Sequence, residues 1–204
     1  LVPYEEALEG DDLSPRLARY TDNHDEGRGL YRYGPGAVRA MNALSFMSPH
    51  AIPFLLTGQE FGALNRPSIH ERVRPCDKGY RVIRDGQETV HEGVEFEGNI
   101  FDRGFDTRAG WYAFYKDLIQ LRRSSPELTQ GSFQIIDPAE QAEDARRTVV
   151  AFDRAYEGKT IRCAINLGPE DRELARSDPF KGQVLYGVLE SNTLPAFSAI
   201  AVRV

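Results

Sequence analysis

The chain has 204 residues, 41% of them hydrophobic and 27% charged, with a formal net charge of -6. That make-up suits a globular protein able to bury a core in one or two domains. It excludes the basic face that nucleic-acid binding calls for, and no apolar run approaches the roughly 20 residues needed to span a bilayer. No charged start followed by an apolar stretch marks a signal peptide, and the first residue is Leu1 rather than Met, so an upstream segment is expected. Nothing in the sequence pairs Cys76 with the distant Cys163. They read as ordinary thiols, which together with the missing signal favours a reducing, cytoplasmic setting.

Residues 1–15 are acidic and irregular and read as a linker or the tail of a preceding unit. Residues 17–23 read as a short strand. Ala37, Val38, Ala40, Met41, Leu44, Ser45 and Met47 recur at helical spacing, which predicts a mostly buried helix. Ser48-Pro49 ends it, because proline cannot continue the hydrogen-bonded ladder. Residues 52–57 form a nearly unbroken apolar run, the pattern of a parallel strand buried on both faces. Strand, helix, strand and helix in succession imply βα units with a crossover connection.

Residues 63–108 are polar and rich in Arg, Asp, Glu and Gly. A stretch of roughly 45 residues with little periodicity is uncommon in a compact domain and often functional. It reads either as a loop shaping a cleft or as a decorated surface loop with a small hairpin around residues 82–94. Trp111, Phe114, Tyr115, Leu118, Ile119 and Leu121 make an apolar stripe on a helix, with Asp106 or Thr107 as its N-cap and an end at Ser124-Ser125-Pro126. From Gly131 the pattern changes. Residues 132–136, 148–154, 160–167, 184–188 and 197–204 read as strands separated by turns, predicting an antiparallel β-sandwich.

The chemistry concentrates in Tyr20-Thr21-Asp22-Asn23-His24-Asp25-Glu26-Gly27-Arg28, at the exit of the first strand. In a parallel α/β barrel such positions point into the active site. A cluster of ionisable groups there is costly unless it binds or catalyses something. The bland alternative is a solvated turn in which Asp22 or Asp25 caps the next element. Asp22-Asn23-His24-Asp25 followed by Arg28 resembles the seventh-strand motif of the α-amylase family of glycoside hydrolases (family thirteen). In the family's order, residues 52–62 resemble the eighth strand and its turn, and residues 111–128 resemble the closing barrel helix. Residues 194–202 resemble the last strand of the C-terminal β-domain.

The resemblance implies a fold: the C-terminal part of a (β/α)8 TIM barrel over residues 1–128, then an antiparallel β-sandwich over 129–204. It also implies roles. Asp25 would be the transition-state-stabilising carboxylate, His24 would hydrogen-bond the same sugar, and Arg28 would line the site and help keep neighbouring carboxylates ionised. Glu60, in Gly58-Gln59-Glu60-Phe61-Gly62, would support the pocket floor. The nucleophile and acid carboxylates of a retaining glycosidase have no counterpart here, and a whole barrel takes roughly 250 residues. The expected partners are an α-glucan or malto-oligosaccharide and a missing N-terminal barrel portion, with no cofactor, metal, nucleic acid or membrane. Barrel strands with open edges favour dimerisation or aggregation of the isolated chain. The rival reading is a carbohydrate-binding or assembly module that has lost catalysis. His50, His70 and His91 have no metal-ligand spacing, residues 102–106 lack the oxygen-rich spacing of a calcium loop, and residues 140–147 read as a charged turn.

Overall fold

The computed structural model describes residues 17–24, 27–49, 51–63, 72–76, 79–84, 87–92, 110–136, 148–174, 180–189 and 192–204. The expectations for residues 1–15, His50, His70, residues 102–107 and residues 140–147 fall outside them. The chain divides into two compact units, one of residues 1–20, 35–54 and 116–204, the other of residues 21–34 and 55–115.

In the first unit, β1 (Leu17–Arg19) pairs in parallel with β2 (Ala51–Pro53), Leu17 opposite Ala51 and Arg19 opposite Pro53. The Phe54 N–H extends the ladder by donating to the Arg19 carbonyl at 2.9 Å. The parallel pairing agrees with the predicted crossover. The strands are shorter than the sequence suggests, and the expectation that residues 52–57 are buried on both faces is corrected. Ile52 is 55% exposed and Phe54 47%. A two-stranded ribbon has two open edges and too little surface to cover its own faces. Tyr20 and Phe54 meet edge to face, with ring centroids 6.2 Å apart.

Helix α1 (Gly29–Met47) begins earlier than its apolar period, which marks only the part after a kink. Gly34 sits at φ 79°, ψ 167°, immediately before Pro35. Proline removes a helical donor and pushes its predecessor out of the α region, and glycine accepts the resulting positive φ. Beyond the kink Val38, Ala40, Ala43, Phe46 and Met47 are buried.

Helix α2 (Trp111–Ser124) is followed by a break at Ser125 and a short helix α3 (Pro126–Gln130), so the single helix expected to run to Leu128 is divided where proline begins a new turn. Trp111, Phe114, Tyr115, Leu118 and Leu121 are buried as predicted. Ile119 is not: it lies off the stripe on the side of Tyr112 and is 38% exposed.

The C-terminal region forms a five-stranded antiparallel sheet in the order β10-β12-β8-β7-β6: β6 (Ser132–Ile136), β7 (Val149–Tyr156), β8 (Lys159–Asn166), β10 (Gln183–Tyr186) and β12 (Ala199–Arg203). Glu157 and Gly158, both at positive φ, close the β7–β8 hairpin in two residues, the twist-matched turn for such a hairpin. Ala151, Ala164 and Ile200 are opposite one another across three strands and so share a face. They join Val149, Val202, Leu174, Phe180 and Leu194 in one buried cluster. Leu194 belongs to a two-stranded antiparallel ribbon, β9 (Arg172–Glu173) with β11 (Thr193–Leu194), whose strands are too short to show a period in the sequence. On the other face Phe152, Ile161, Cys163 and Ala201 are buried as well. Cys163 is a free thiol.

Asn166, fully buried at the end of β8, donates to the carbonyls of Glu170, Leu194 and Pro195 and accepts the Gly168 N–H. Arg154, 1% exposed, donates to the carbonyls of Gly131, Ser132 and Met47. Burial lowers its pKa to about 10, which leaves it cationic at neutral pH.

The second unit contains a three-stranded antiparallel meander, β3 (Arg72–Cys76), β4 (Gly79–Arg84) and β5 (Gln87–Glu92). Its β4–β5 hairpin agrees with the small hairpin expected around residues 82–94, and β3 adds a third strand that was not expected. Cys76 pairs with Gly79, and Arg84 with Gln87.

Candidate active site

The candidate site lies in the second unit, on residues 21–24, 27–29 and 55–61. Asp22 is 2% exposed, and its two carboxylate oxygens have different partners. Oδ1 accepts the N–H of Gly29, the first residue of α1, at 2.8 Å. Oδ2 faces Nη1 of Arg28 at 3.4 Å. The carboxylate thus satisfies an otherwise unpaired donor at the helix start, where negative charge is favoured. Asp22 thus caps the next element, as the bland alternative expected, but from a buried position and not from a solvated turn. Gly29 is required for this approach, because a Cβ there would come within 2.8 Å of the Asp22 oxygen.

Arg28 is equally buried, at 3% exposure, and its Nη2 donates to the Thr57 carbonyl at 2.7 Å. The guanidinium therefore holds the 21–29 segment to the chain that follows β2. A second tie runs through Gln59, which is buried in the 3-10 turn Gln59–Phe61. Its Nε2 donates to Thr21 Oγ1 at 2.7 Å and to Tyr115 Oη at 2.8 Å, while its Oε1 accepts the Leu56 N–H at 3.2 Å. Gly58 and Gly62 flank the turn at φ 94° and 72°. A side chain at Gly62 would strike the Trp111 ring, so glycine is needed there for space as well as for conformation. Glu60 accepts the Gly58 N–H at 2.8 Å and so stiffens the turn locally.

Of the three residues singled out from the sequence, Arg28 is buried in this network and His24 is exposed beside it. Asp25 lies outside the described residues. Sequence reasoning passed over Gln59, whose amide joins three partners. Its signal was a long polar side chain at the head of a turn bounded by two glycines. Among the described residues no group of three or more His, Cys, Asp or Glu side chains is placed to hold a metal ion. None of the described helices is long and apolar enough to cross a membrane. Chemically, the arrangement is a set of buried polar groups bonded within the chain, with the His24 side chain exposed beside them.

No family model matches the chain. Among curated proteins it is similar to Alpha-amylase 2 of Dictyoglomus thermophilum, 26% identical over 154 residues, which are 76% of this chain and 23% of that protein. It is likewise 26% identical over 151 residues to Alpha-amylase MalA of Haloarcula japonica, covering 74% of this chain and 18% of that one. The chain spans less than a quarter of either relative. Among solved structures, a Nostoc punctiforme debranching enzyme superposes with a TM-score of 0.63 at 18% identity over 100% of this chain and 37% of its own. The trehalulose synthase MutB of Pseudomonas mesoacidophila does so with a TM-score of 0.59 at 17% identity, over 91% and 42%. Along three quarters of its length the chain is thus similar in sequence to parts of two α-amylases, and along nearly all of it the chain shares the fold of parts of these two solved enzymes.

Proposed function

We propose that the chain is the C-terminal part of a retaining α-glucan-active glycoside hydrolase or transglycosylase. Residues 1–128 are the end of its (β/α)8 barrel and residues 129–204 its C-terminal β-sandwich. In this reading Asp25 binds the hydroxyls of the sugar as its ring flattens and gains positive charge. A fixed carboxylate that fits that state better than the relaxed substrate lowers the barrier. His24 hydrogen-bonds the same sugar, and Arg28 lines the site. The nucleophile and the acid carboxylate come from an upstream barrel portion, whose strands would complete the open β1–β2 ribbon. The chain alone is therefore inactive, and its substrate is an α-glucan or malto-oligosaccharide.

The observation that carries this reading is the double tie between the two segments, Arg28 to Thr57 and Gln59 to Thr21. Thr21, Asp22 and Arg28 are braced by polar contacts, an expense that a solvated turn does not need. The test begins with the reading frame upstream of Leu1. In the complete protein, Asp25→Asn is expected to lower kcat on a malto-oligosaccharide by about 10³, the loss of several kcal/mol of transition-state binding, with KM little changed. A complete protein that keeps its turnover after this change, or an isolated chain that cleaves an α-1,4-glucoside in an Asp25-dependent way, would overturn the proposal. Weak maltose-type binding without any catalysis in the complete protein would support the binding-module reading instead.

A further inference from the structure

Among the described residues, two that are not glycine sit at positive φ, Glu157 at 48° and Phe197 at 50°. For Glu157 the reason is the two-residue hairpin turn it belongs to. Phe197 has no hairpin to explain it. It lies between β11 and β12, which pair with different strands. For a bulky residue the left-handed region is an outlier on steric grounds.

Such a conformation persists only where its surroundings over-determine it, and here they do. The Phe197 N–H donates to the Gly168 carbonyl at 3.0 Å. Before it, the Pro195 carbonyl accepts from the Asn166 amide at 3.1 Å and from Ser198 Oγ at 2.6 Å. The Ala196 N–H donates to Asp171 Oδ1 at 2.8 Å. After it, the Ser198 carbonyl accepts the Asn166 N–H at 2.8 Å. A backbone group of each residue from 195 to 198 is thus bonded, which fixes the direction in which the ring points.

The ring lies on α1. A Cβ at Gly36 would come within 2.6 Å of the Phe197 ring, so the ring rests where the helix has no side chain. Gly36 stands two residues after Gly34, the residue at which α1 kinks. At the kink itself support is thin. Pro35 has no N–H to give to the helical ladder, and nothing lies within 4 Å of where a Gly34 Cβ would be. Phe197 therefore supplies a packing contact beside the point where the ladder is broken.

We propose that Phe197 is a positioning residue for the candidate site. By holding α1 at Gly36 it limits bending at Gly34, and through the helix backbone it steadies the first turn of α1. There the Gly29 N–H meets Asp22 Oδ1, and the Arg32 N–H meets the Arg28 carbonyl. That Asp22 and Arg28 brace a sugar site rests on the glycan-active reading given above. The effect of the ring on the first turn does not.

The test is amide hydrogen exchange of the chain, read by nuclear magnetic resonance. Gly36→Ala keeps the ring and places a methyl group against it. Exchange at Gly29 and Arg32 is expected to speed up about tenfold, while the amides of Phe152 and Cys163 in the five-stranded sheet keep their rates. In a Phe197→Ala background the obstacle is gone, and the same Gly36→Ala should slow exchange at Gly29 and Arg32, because alanine favours a helix over glycine. Unchanged exchange at those two amides in Gly36→Ala alone would overturn the proposal. So would an effect of the same sign in both backgrounds, or equal loosening at Phe152 and Cys163. The result is separable from the Asp25 experiment. Turnover that ignores Asp25→Asn leaves the exchange rates as they were found, and unmoved exchange rates leave the kinetics of Asp25→Asn as they were measured.

Discussion

In the five-stranded sheet the side chains withdrawn from water are mostly apolar, with Phe152, Ile161, Cys163 and Ala164 all at 1% exposure or less. Around the candidate site polar and charged groups are buried as well, Asp22, Arg28 and Gln59 among them. The sheet is held by area removed from water, a non-directional force that tolerates small shifts. The site is held by a carboxylate, a guanidinium and an amide that must each meet a partner at hydrogen-bond distance. A scaffold of the first kind gives stability. One of the second kind gives position, which is what a group touching substrate requires.

If the comparison is right, the two regions should respond to different kinds of substitution. The largest effect is expected for Phe152→Ala. This ring is 1% exposed and packs against Phe133 with centroids 5.3 Å apart. Its removal should cost about 3–5 kcal/mol from lost burial and the cavity left behind. A urea titration followed by far-ultraviolet circular dichroism reads this directly, and an unchanged midpoint would break the claim that the apolar interior carries the sheet.

Arg28→Met is the matching experiment on the site. It keeps volume and removes charge, leaving the Asp22 carboxylate buried without its cation. The expected cost is about 3 kcal/mol, because breaking one side of a buried pair exposes the desolvation penalty of the other. Here the readout should be local. Hydrogen exchange at the amides of Gly29 and Leu30 should speed up, while the amides of β7 and β8 keep their protection. Equal loosening in both places would mean that the site is supported by the same interior as the sheet.

How much of this was legible in the sequence follows from the same difference. The sheet was largely readable, because strands such as β7 and β8 carry several apolar residues in a row or in alternation. Only β9 and β11 escaped, and there Leu174 and Leu194 are single buried residues with no neighbours to make a pattern. The second half of α1 was readable from its period. The first half was not, since Gly34-Pro35 looks like a break and is in fact a kink. In the meander the β4–β5 hairpin was anticipated around residues 82–94, where Asp85-Gly86 is a hairpin signal in the sequence, and β3 went unread among its arginines.

At the site, the carboxylate, imidazole and arginine announced themselves as residue types. Which carboxylate would cap α1 was left open until Asp22 was found bonded to Gly29. Gln59 could not be singled out, because its three partners come from residues 21, 56 and 115, and only the folded chain brings them together.

The smallest predicted effect concerns Cys163, which sharpens the apolar side of the comparison because it is a titratable group used as a hydrophobe. Burial pushes its thiol from 9.0 up to about 12, with Arg154 opposing the shift. An unfolded chain therefore ionises this thiol above pH 9, whereas the folded chain keeps the proton. Between those values the folded state binds more protons than the unfolded one, so stability falls as pH rises. The contribution is complete below pH 9 and about 1 kcal/mol of it is gone by pH 10. Tyr186, also raised to about 12 but from 10.0, acts more weakly over this interval, because its phenol is only half ionised in an unfolded chain at pH 10. Denaturation midpoints at pH 8 and pH 10 should consequently diverge less in Cys163→Ala than in the unaltered chain. If the two proteins lose stability in parallel over that interval, Cys163 is reaching water in the folded state, and the interior of the sheet is less dry than its packing implies.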